Sequence, residues 1–253
     1  MKISVITVTY NDLPGLRRTL SSVIHQDYAD FEYIVVDGAS TDGTRAFLEH
    51  EASGIDRWVS EPDSGIYEAM NKGVRLATGD YCIFMNAGDS FIHDRVLSRV
   101  ESQLDGTDIV LGNEILVNEQ ERMCGFTPAK GSFTLQHLLS ASICHQATFI
   151  KKDLLLEYPY DESLRLVSDW KFILERFIQG RCSFKTINID ICFFRSGGRT
   201  DTLQIIGKSE KESVLLSYSN LFDKIPSKSQ RSIIKRIIDH SRLILRRVIY
   251  TLR

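Results

Sequence analysis

The stretch YCIFMNAGDSF, residues 81 to 91, carries a largely apolar run into Ala87 and Gly88 and then into a carboxylate, Asp89. A second acid, Asp37, closes another apolar run, FEYIVVDG, and Thr9, Tyr10 and Asn11 stand at the end of a third, ISVITVTY. Acids and hydroxyls at the ends of buried strands suit a divalent cation, and such a cation suits a phosphorylated ligand. The same residue types also suit tight turns, so Asp37 before Gly38 and Asp89 after Gly88 each have a purely structural reading.

The missing motifs narrow the chemistry. Neither G-x-G-x-x-G nor G-x-x-x-x-G-K-[ST] follows the first apolar run, where the chain reads TYNDLPG. The backbone cradles of a dinucleotide site or a P-loop are therefore absent. There is no G-x-S-x-G nucleophile elbow either. A phosphate would have to be held by metal and side chains.

The elements that must position these residues alternate. Runs rich in β-branched residues are interleaved with segments of helical period, which predicts an α/β fold with a mostly parallel sheet and flanking helices. After the first strand, Asn11 or Asp12 caps a helix with Leu13, Leu16, Leu20, Val23 and Ile24 as its inward stripe. The strand ending at Asp37 leads through ASTDGT, with Asp42 as cap, to a helix containing Phe47 and Leu48. RWVSE reads as a third strand, GIYEAMNKGVRLATG as a helix closed by Gly79, and residues 81–86 as a fourth strand. Beyond residue 105 the alternation loosens. DIVLGNEILVN suggests a strand and its return, HQATFIKKDLL a strand entering a helix, SDWKFILERFIQG a helix capped by Ser168 or Asp169, and FKTINIDICFFRSGG mostly strand. In an open parallel sheet ligands bind beyond the carboxyl ends of the strands, which is where Thr9, Asp37 and Asp89 fall.

The 253 residues, 43% apolar and 25% charged, have the balance of a globular protein. No apolar run is long enough to span a bilayer, and KISVITVTY lacks a signal-peptide cleavage site, so a cytoplasmic protein is expected. The five cysteines are scattered without C-x-x-C spacing and read as reduced thiols rather than zinc ligands. Charge is uneven. Residues 224–253 hold nine Lys/Arg against one acid, leaving 22 basic and 32 acidic residues before them. In that tail Ile234, Ile237, Ile238, Leu245, Val248, Ile249 and Leu252 recur at helical spacing among the basic residues, describing a C-terminal basic amphipathic helix. The acidic remainder argues against nucleic acid as its partner. The expected division is a domain over 1–222, with a nucleotide-binding half over about 1–105 and an acceptor half over 106–222, and a helical tail over 223–253.

The series ISVITVTYN, YIVVDGASTDGT, DSGIYEAMNKGVRLATGDYCIFMNAGD, CHQATFIKK, SDWKFILERFIQG and FFRSGG resembles the family 2 glycosyltransferases of the GT-A fold, in order, over about residues 2 to 200. Within that family it is most similar to bacterial enzymes of surface-polysaccharide biosynthesis. The resemblance implies an inverting transfer of a sugar from a nucleotide diphosphate donor, a UDP-sugar being favoured, to a lipid-linked saccharide acceptor, with Mg²⁺ or Mn²⁺ as cofactor. It would set Thr9 and Tyr10 against the nucleotide base, Asp37 at the base edge, and Asn71 and Lys72 in the N-x-G block of the nucleotide site. Asp89 would be the metal ligand and Asp169 the general base. Beside the resemblance, His145 and Gln146 are candidate contacts to acceptor or phosphate, and Arg195 and Arg199, around Gly197-Gly198, are a candidate clamp for the diphosphate, although family members often carry a small or apolar residue where Arg199 stands. The family's acidic motif, D-x-D-D, is reduced here to Asn86, Ala87, Gly88 and Asp89. The acidic pair before the catalytic helix is reduced to Ser168 and Asp169. Each residue has a plainer alternative: Asp169 a helix cap, His145 a core histidine, Lys72 a solvated helix residue. At the level of the whole protein the alternatives are a sugar nucleotidyltransferase, which would want a basic glycine-rich loop after the first strand, and a degenerate nucleotide-sugar-binding protein without turnover.

Overall fold

A computed structural model describes residues 1–51, 53–118, 123–127, 134, 138–139, 143–195 and 204–218. The strands are β1 (Ile3–Thr9), β2 (Phe31–Asp37), β3 (Arg57–Ser60), β4 (Tyr81–Phe84), β5 (Ser90–Phe91), β6 (Ile109–Val117), β7 (Met123–Thr127), β8 (Thr148–Lys151) and β9 (Phe184–Arg195). The helices are α1 (Leu13–Ile24), α2 (Thr44–His50), α3 (Ile66–Leu76), α4 (Val96–Glu101), α5 (Lys152–Glu157), α6 (Ser168–Gln179) and α7 (Gln204–Ser217). A single 3₁₀ turn, His145–Ala147, leads into β8.

The strands of the described residues form one sheet in the order β3-β2-β1-β4-β8-β6-β9-β5, with β7 beside β6. The first four strands are parallel, as the alternating sequence predicts. β8 then runs antiparallel to β4 and to β6, while β9 runs parallel to β6. The reversal has a direct consequence: β8 begins at the edge where β1, β2, β4 and β9 end.

Strand alternation divides the core in two. Ile6, Val8, Ile34, Val36 and Phe84 face α3, α5, α6 and α7. Ile3, Val5, Tyr33, Val35 and Ile83 face α1, α2 and α4. Asp12 caps α1 by accepting from Gly15 N at 2.9 Å, and Leu16, Leu20 and Val23 are buried as their spacing predicts. Ile24, assigned to the same stripe, is 38% exposed, because it falls past the edge of the covered face.

Other expectations are corrected. The stretch 109–117 is one strand, and its return is β7. Asp42 is not the cap of α2; that position is Gly43 in a left-handed conformation, and Asp42 binds Thr44 and Leu13 N instead. Gly79 does not close α3, which ends into Ala77. Gly79 is needed for close approach: a Cβ there would lie 2.6 Å from Ser4 Oγ and 2.8 Å from the Lys2 carbonyl. Of the cysteines, Cys82, Cys144, Cys182 and Cys192 are free thiols. Arg199 and the tail 223–253 lie outside the described residues.

Candidate active site

At the ends of β1 and β2 the backbone is strained. Asn11 and Ala39 have φ of 52° and 62°, a region that residues with a Cβ seldom enter. The two loops hold each other: Asn11 N donates to Ser40 Oγ at 2.7 Å, and Asn11 Oδ1 accepts from Thr41 N at 2.8 Å. Thr9 is buried with no hydrogen bond to its Oγ1, and Tyr10 stands 61% exposed. Asp37 is fully buried, accepting from Ser60 Oγ at 2.7 Å and from the amide and hydroxyl of Ser40. These residues line the strand-end edge where the family resemblance implies a nucleotide.

Asn71 and Lys72 do not join them. Asn71 is buried, donating to Tyr160 O and Glu162 Oε1, both at 2.9 Å, and accepting from Tyr160 N at 3.0 Å. Lys72 donates to Pro62 O at 2.9 Å and pairs with Glu61 and Glu68 at 3.1 and 3.0 Å. Their donors are all engaged, so neither has one to offer a phosphate. The N-x-G block is instead a packing motif, since a Cβ on Gly73 would lie 2.4 Å from Ile6 Cγ2.

Asp89 ends a turn gripped by Thr19, whose hydroxyl contacts Asn86 O, Asp89 O and Gly88 N at 3.1, 2.6 and 3.1 Å. Gly88 is the left-handed residue of this turn, with φ 100°. The Asp89 carboxylate is only 6% exposed. Gln146 Nε2 donates to its Oδ2 at 2.7 Å, and Arg195 N approaches its Oδ1 at 3.5 Å. Burial pushes the carboxyl up to about 6, against the opposing effects of Gln146, His145 and the Arg195 amide. Arg195 also donates through Nε to Gly88 O at 3.1 Å.

Asp169 lies in the first turn of α6 but does not cap it. The N-cap is Val167, with no side-chain hydrogen bond. Asp169 Oδ1 accepts from Tyr67 OH at 3.0 Å and Trp170 N at 2.8 Å, and its Oδ2 accepts from His145 Nδ1 at 2.8 Å. Burial and the adjacent carboxylate hold the Tyr67 phenol well above its usual range, so it remains a donor. Burial alone would lower the His145 pKa, but Asp169, with Asp89 and Glu114 beyond it, raises it. Oδ1 has two donors and Oδ2 one, so Oδ2 retains capacity to take a proton from an incoming hydroxyl.

Two residues escaped the sequence reading. Tyr67 falls within the stretch DSGIYEAMNKG, where residue type and spacing alone give it no role. Lys211, on α7, sets its ammonium 5.2 Å from the Trp170 ring centroid, and burial lowers its pKa despite the Asp169 charge. Glu210 fixes α7 there by accepting from Arg165 N and Leu166 N at 2.8 and 3.0 Å. No signal in an ordinary helical pattern could have singled Lys211 out.

The mostly parallel sheet with its antiparallel β8, bringing Asp89 and Asp169 to one strand-end edge, has the architecture of the GT-A fold. Structural comparison agrees: the Staphylococcus aureus TarS 1-349 structure in complex with UDP-GlcNAc superimposes with a TM-score of 0.72 at 17% identity, covering 95% of this chain and 72% of that one. The chain spans 43% of the fuller TarS structure. A mannosyltransferase from Pyrobaculum calidifontis, in complex with GDP-Man and Mn²⁺, gives a TM-score of 0.63 at 20% identity, over 85% of this chain and 63% of that one. By sequence, the PGL/p-HBAD biosynthesis glycosyltransferase of Mycobacterium bovis is 32% identical over 209 residues, 79% of each protein. Residues 4–151 match the family model described as Glycosyl transferase family 2, and the chain belongs to that family.

Proposed function

We propose that this glycosyltransferase inverts the anomeric centre of a nucleotide diphosphate sugar, with Asp169 as the general base and Asp89 on the side of the departing diphosphate. The observation that carries this reading is the Asp169 carboxylate, held by Tyr67 and His145 with one oxygen still able to accept a proton. A positioned base of this kind contributes roughly 10²- to 10⁴-fold. Thr9, Tyr10 and Asp37 form the nucleotide edge, and a UDP-sugar is the favoured donor, as in the TarS complex.

Asp89 fits a divalent cation. It is a buried acid whose ionised form the protein leaves short of positive charge, with one oxygen only lightly engaged. Among the described residues no group of three His, Cys, Asp or Glu gathers around an ion, so Asp89 would be the main protein anchor. That is enough for Mg²⁺ or Mn²⁺, which commonly take one or two carboxylates together with substrate phosphates. When bound, the ion supplies charge neutralisation for the leaving diphosphate.

The acceptor we infer is a lipid-linked saccharide of surface-polysaccharide assembly, in keeping with the biosynthetic role in the mycobacterial relative's name. No helix among the described residues is long and apolar enough to cross a membrane. The basic tail would instead hold the enzyme at the inner face of an anionic membrane, by roughly 1 kcal/mol per basic residue near the surface. Deleting residues 226–253 should abolish co-sedimentation with anionic vesicles at low salt and spare donor hydrolysis. Indifference of the full-length protein to such vesicles refutes the attachment. The enzymatic reading is tested by a panel of nucleotide sugars, scored by thermal shift with and without Mn²⁺ and by release of nucleoside diphosphate. Pyrophosphate release from a nucleoside triphosphate would support a nucleotidyltransferase instead.

A further inference from the structure

We propose that His145 and Gln146, adjacent in one 3₁₀ turn, are positioning residues that together fix the spacing between Asp169 and Asp89. This rests on the reading of those two acids as base and diphosphate-side group. His145 Nδ1 meets Asp169 Oδ2 at 2.8 Å, and Gln146 Nε2 meets Asp89 Oδ2 at 2.7 Å. Neighbouring residues thus hold acids that come from opposite halves of the chain.

Each side chain is fixed at a second point. The other ring nitrogen, His145 Nε2, lies 2.8 Å from Asn86 Nδ2. An ionised carboxylate only accepts, so the contact with Asp169 Oδ2 requires a proton on Nδ1, and the Asn86 amide holds the far side of the ring. Gln146 Oε1 accepts from Cys144 Sγ at 2.9 Å, which sets the amide so that its nitrogen faces Asp89. The turn itself is rigid. Ala147 N and Thr148 Oγ1 both bind Cys144 O, at 3.2 and 2.7 Å, and β8 is paired on both sides.

With both ring nitrogens engaged inside the protein, His145 acts through Asp169 rather than on substrate. In-line displacement needs the base and the leaving group on opposite faces of one sugar ring. Their separation is a geometric constant of the reaction, and a displacement of about 1 Å costs roughly 10²-fold in rate. Asn86 belongs to the same turn as Asp89, so the His145 ring joins the base to the diphosphate turn directly. The base and the turn move together or not at all.

Three full-length variants test this. In His145→Phe the ring shape remains and the donor is lost; in His145→Asn the amide nitrogen takes the place of Nδ1; Gln146→Leu releases Asp89. For the nucleotide sugar that turns over in the panel, His145→Phe should lower kcat roughly 10²-fold at unchanged donor KM. His145→Asn should recover at least about tenfold of that loss, as one hydrogen bond to a charged group allows. Gln146→Leu should lower kcat as well. A raised acceptor KM at unchanged kcat in His145→Phe would make His145 a substrate contact, and Asn no better than Phe in two folded variants would deny the donor role; either overturns the proposal. A second arm needs no donor. In ¹⁵N-histidine spectra of the wild type at alkaline pH, the resonance lost in His145→Asn should show its proton on Nδ1. A proton on Nε2 overturns the proposal even if no sugar is turned over, whereas a panel without turnover beside an Nδ1 proton refutes only the transferase reading.

Discussion

Tyr67 on α3 and Asp169 on α6 are 102 residues apart in the chain, and the phenol hydroxyl lies 3.0 Å from the carboxylate. The contact joins α3 to α6 and gives the proposed base a donor that stays protonated. Tyr67→Phe removes that donor while keeping the ring against Tyr160, whose centroid is 5.6 Å away. A hydrogen bond to a charged group is worth roughly 1.5–3 kcal/mol, so kcat should fall about 10- to 100-fold. The melting temperature should fall too, by roughly 2–4 °C per kcal/mol lost, and kcat is compared well below it. Unchanged kcat would show that the tyrosine only fills space.

Asp169→Asn keeps the shape of the side chain and cannot take a proton. Nucleotide-sugar binding, read by calorimetry, should persist, while turnover drops by roughly 10²- to 10⁴-fold. The N-cap of α6 is Val167, so loss of a cap cannot account for such a drop. Activity that survives the substitution would remove Asp169 from the chemistry.

For Asp89 the expected outcome is loss of transfer in Asp89→Ala, and inhibition of the wild type by a chelator with recovery on adding Mn²⁺. Binding of Mn²⁺ in the presence of UDP, followed by electron paramagnetic resonance, should weaken in the variant. Full turnover in excess chelator would sink the metal assignment.

Glu32 offers a stability test away from the site. It is 3% exposed and receives Ser4 Oγ at 2.6 Å, Gly79 N at 3.1 Å and Thr78 Oγ1 at 2.9 Å, tying β2 to β1 and to the turn before β4. Burial raises its pKa, but these donors and Lys2 outweigh burial and leave it below its usual value. A lowered carboxylate pKa contributes stability that is present above the unfolded value, near 4.5, and is lost as pH falls through the folded one. Glu32→Gln should therefore destabilise the protein at pH 7 by roughly 1–3 kcal/mol. In denaturant melts the difference should shrink below pH 4.5. A pH-independent difference would contradict this account.

How far the sequence could be read depended on whether a residue's role was local. Asp89 and Asp37 announce themselves as polar endings of apolar runs, and the first four strands follow from β-branched runs between helical periods. The contact between His145 and Asp169 is not legible, because nothing in CHQATFIKK tells that its strand runs against β4. Only that reversal brings the turn to the edge where Asp89 and Asp169 meet. Asn71 and Lys72 look like ligand groups on a polar helix stretch, yet Asn71 is held by Tyr160 and Glu162, which lie 89 and 91 residues further on and which periodicity cannot place. Backbone strain at Ala39 has no signature in residue type, since Ala is a poor choice for a left-handed conformation, whereas Asn11 is a residue type that tolerates it.

The antiparallel seam between β4 and β8 also bears on how the chain can be cut. β4 takes β1 on one side and β8 on the other, and β8 is supplied by residues 148–151. A fragment ending near residue 105 would retain the nucleotide edge and leave the far side of β4, with its buried Tyr81, Cys82, Ile83 and Phe84, as an open hydrogen-bonding edge. Such an edge recruits strands from other molecules. Such a fragment is therefore expected to aggregate when expressed alone, and on the ribosome it remains vulnerable until the strand that carries His145 and Gln146 at its head has emerged.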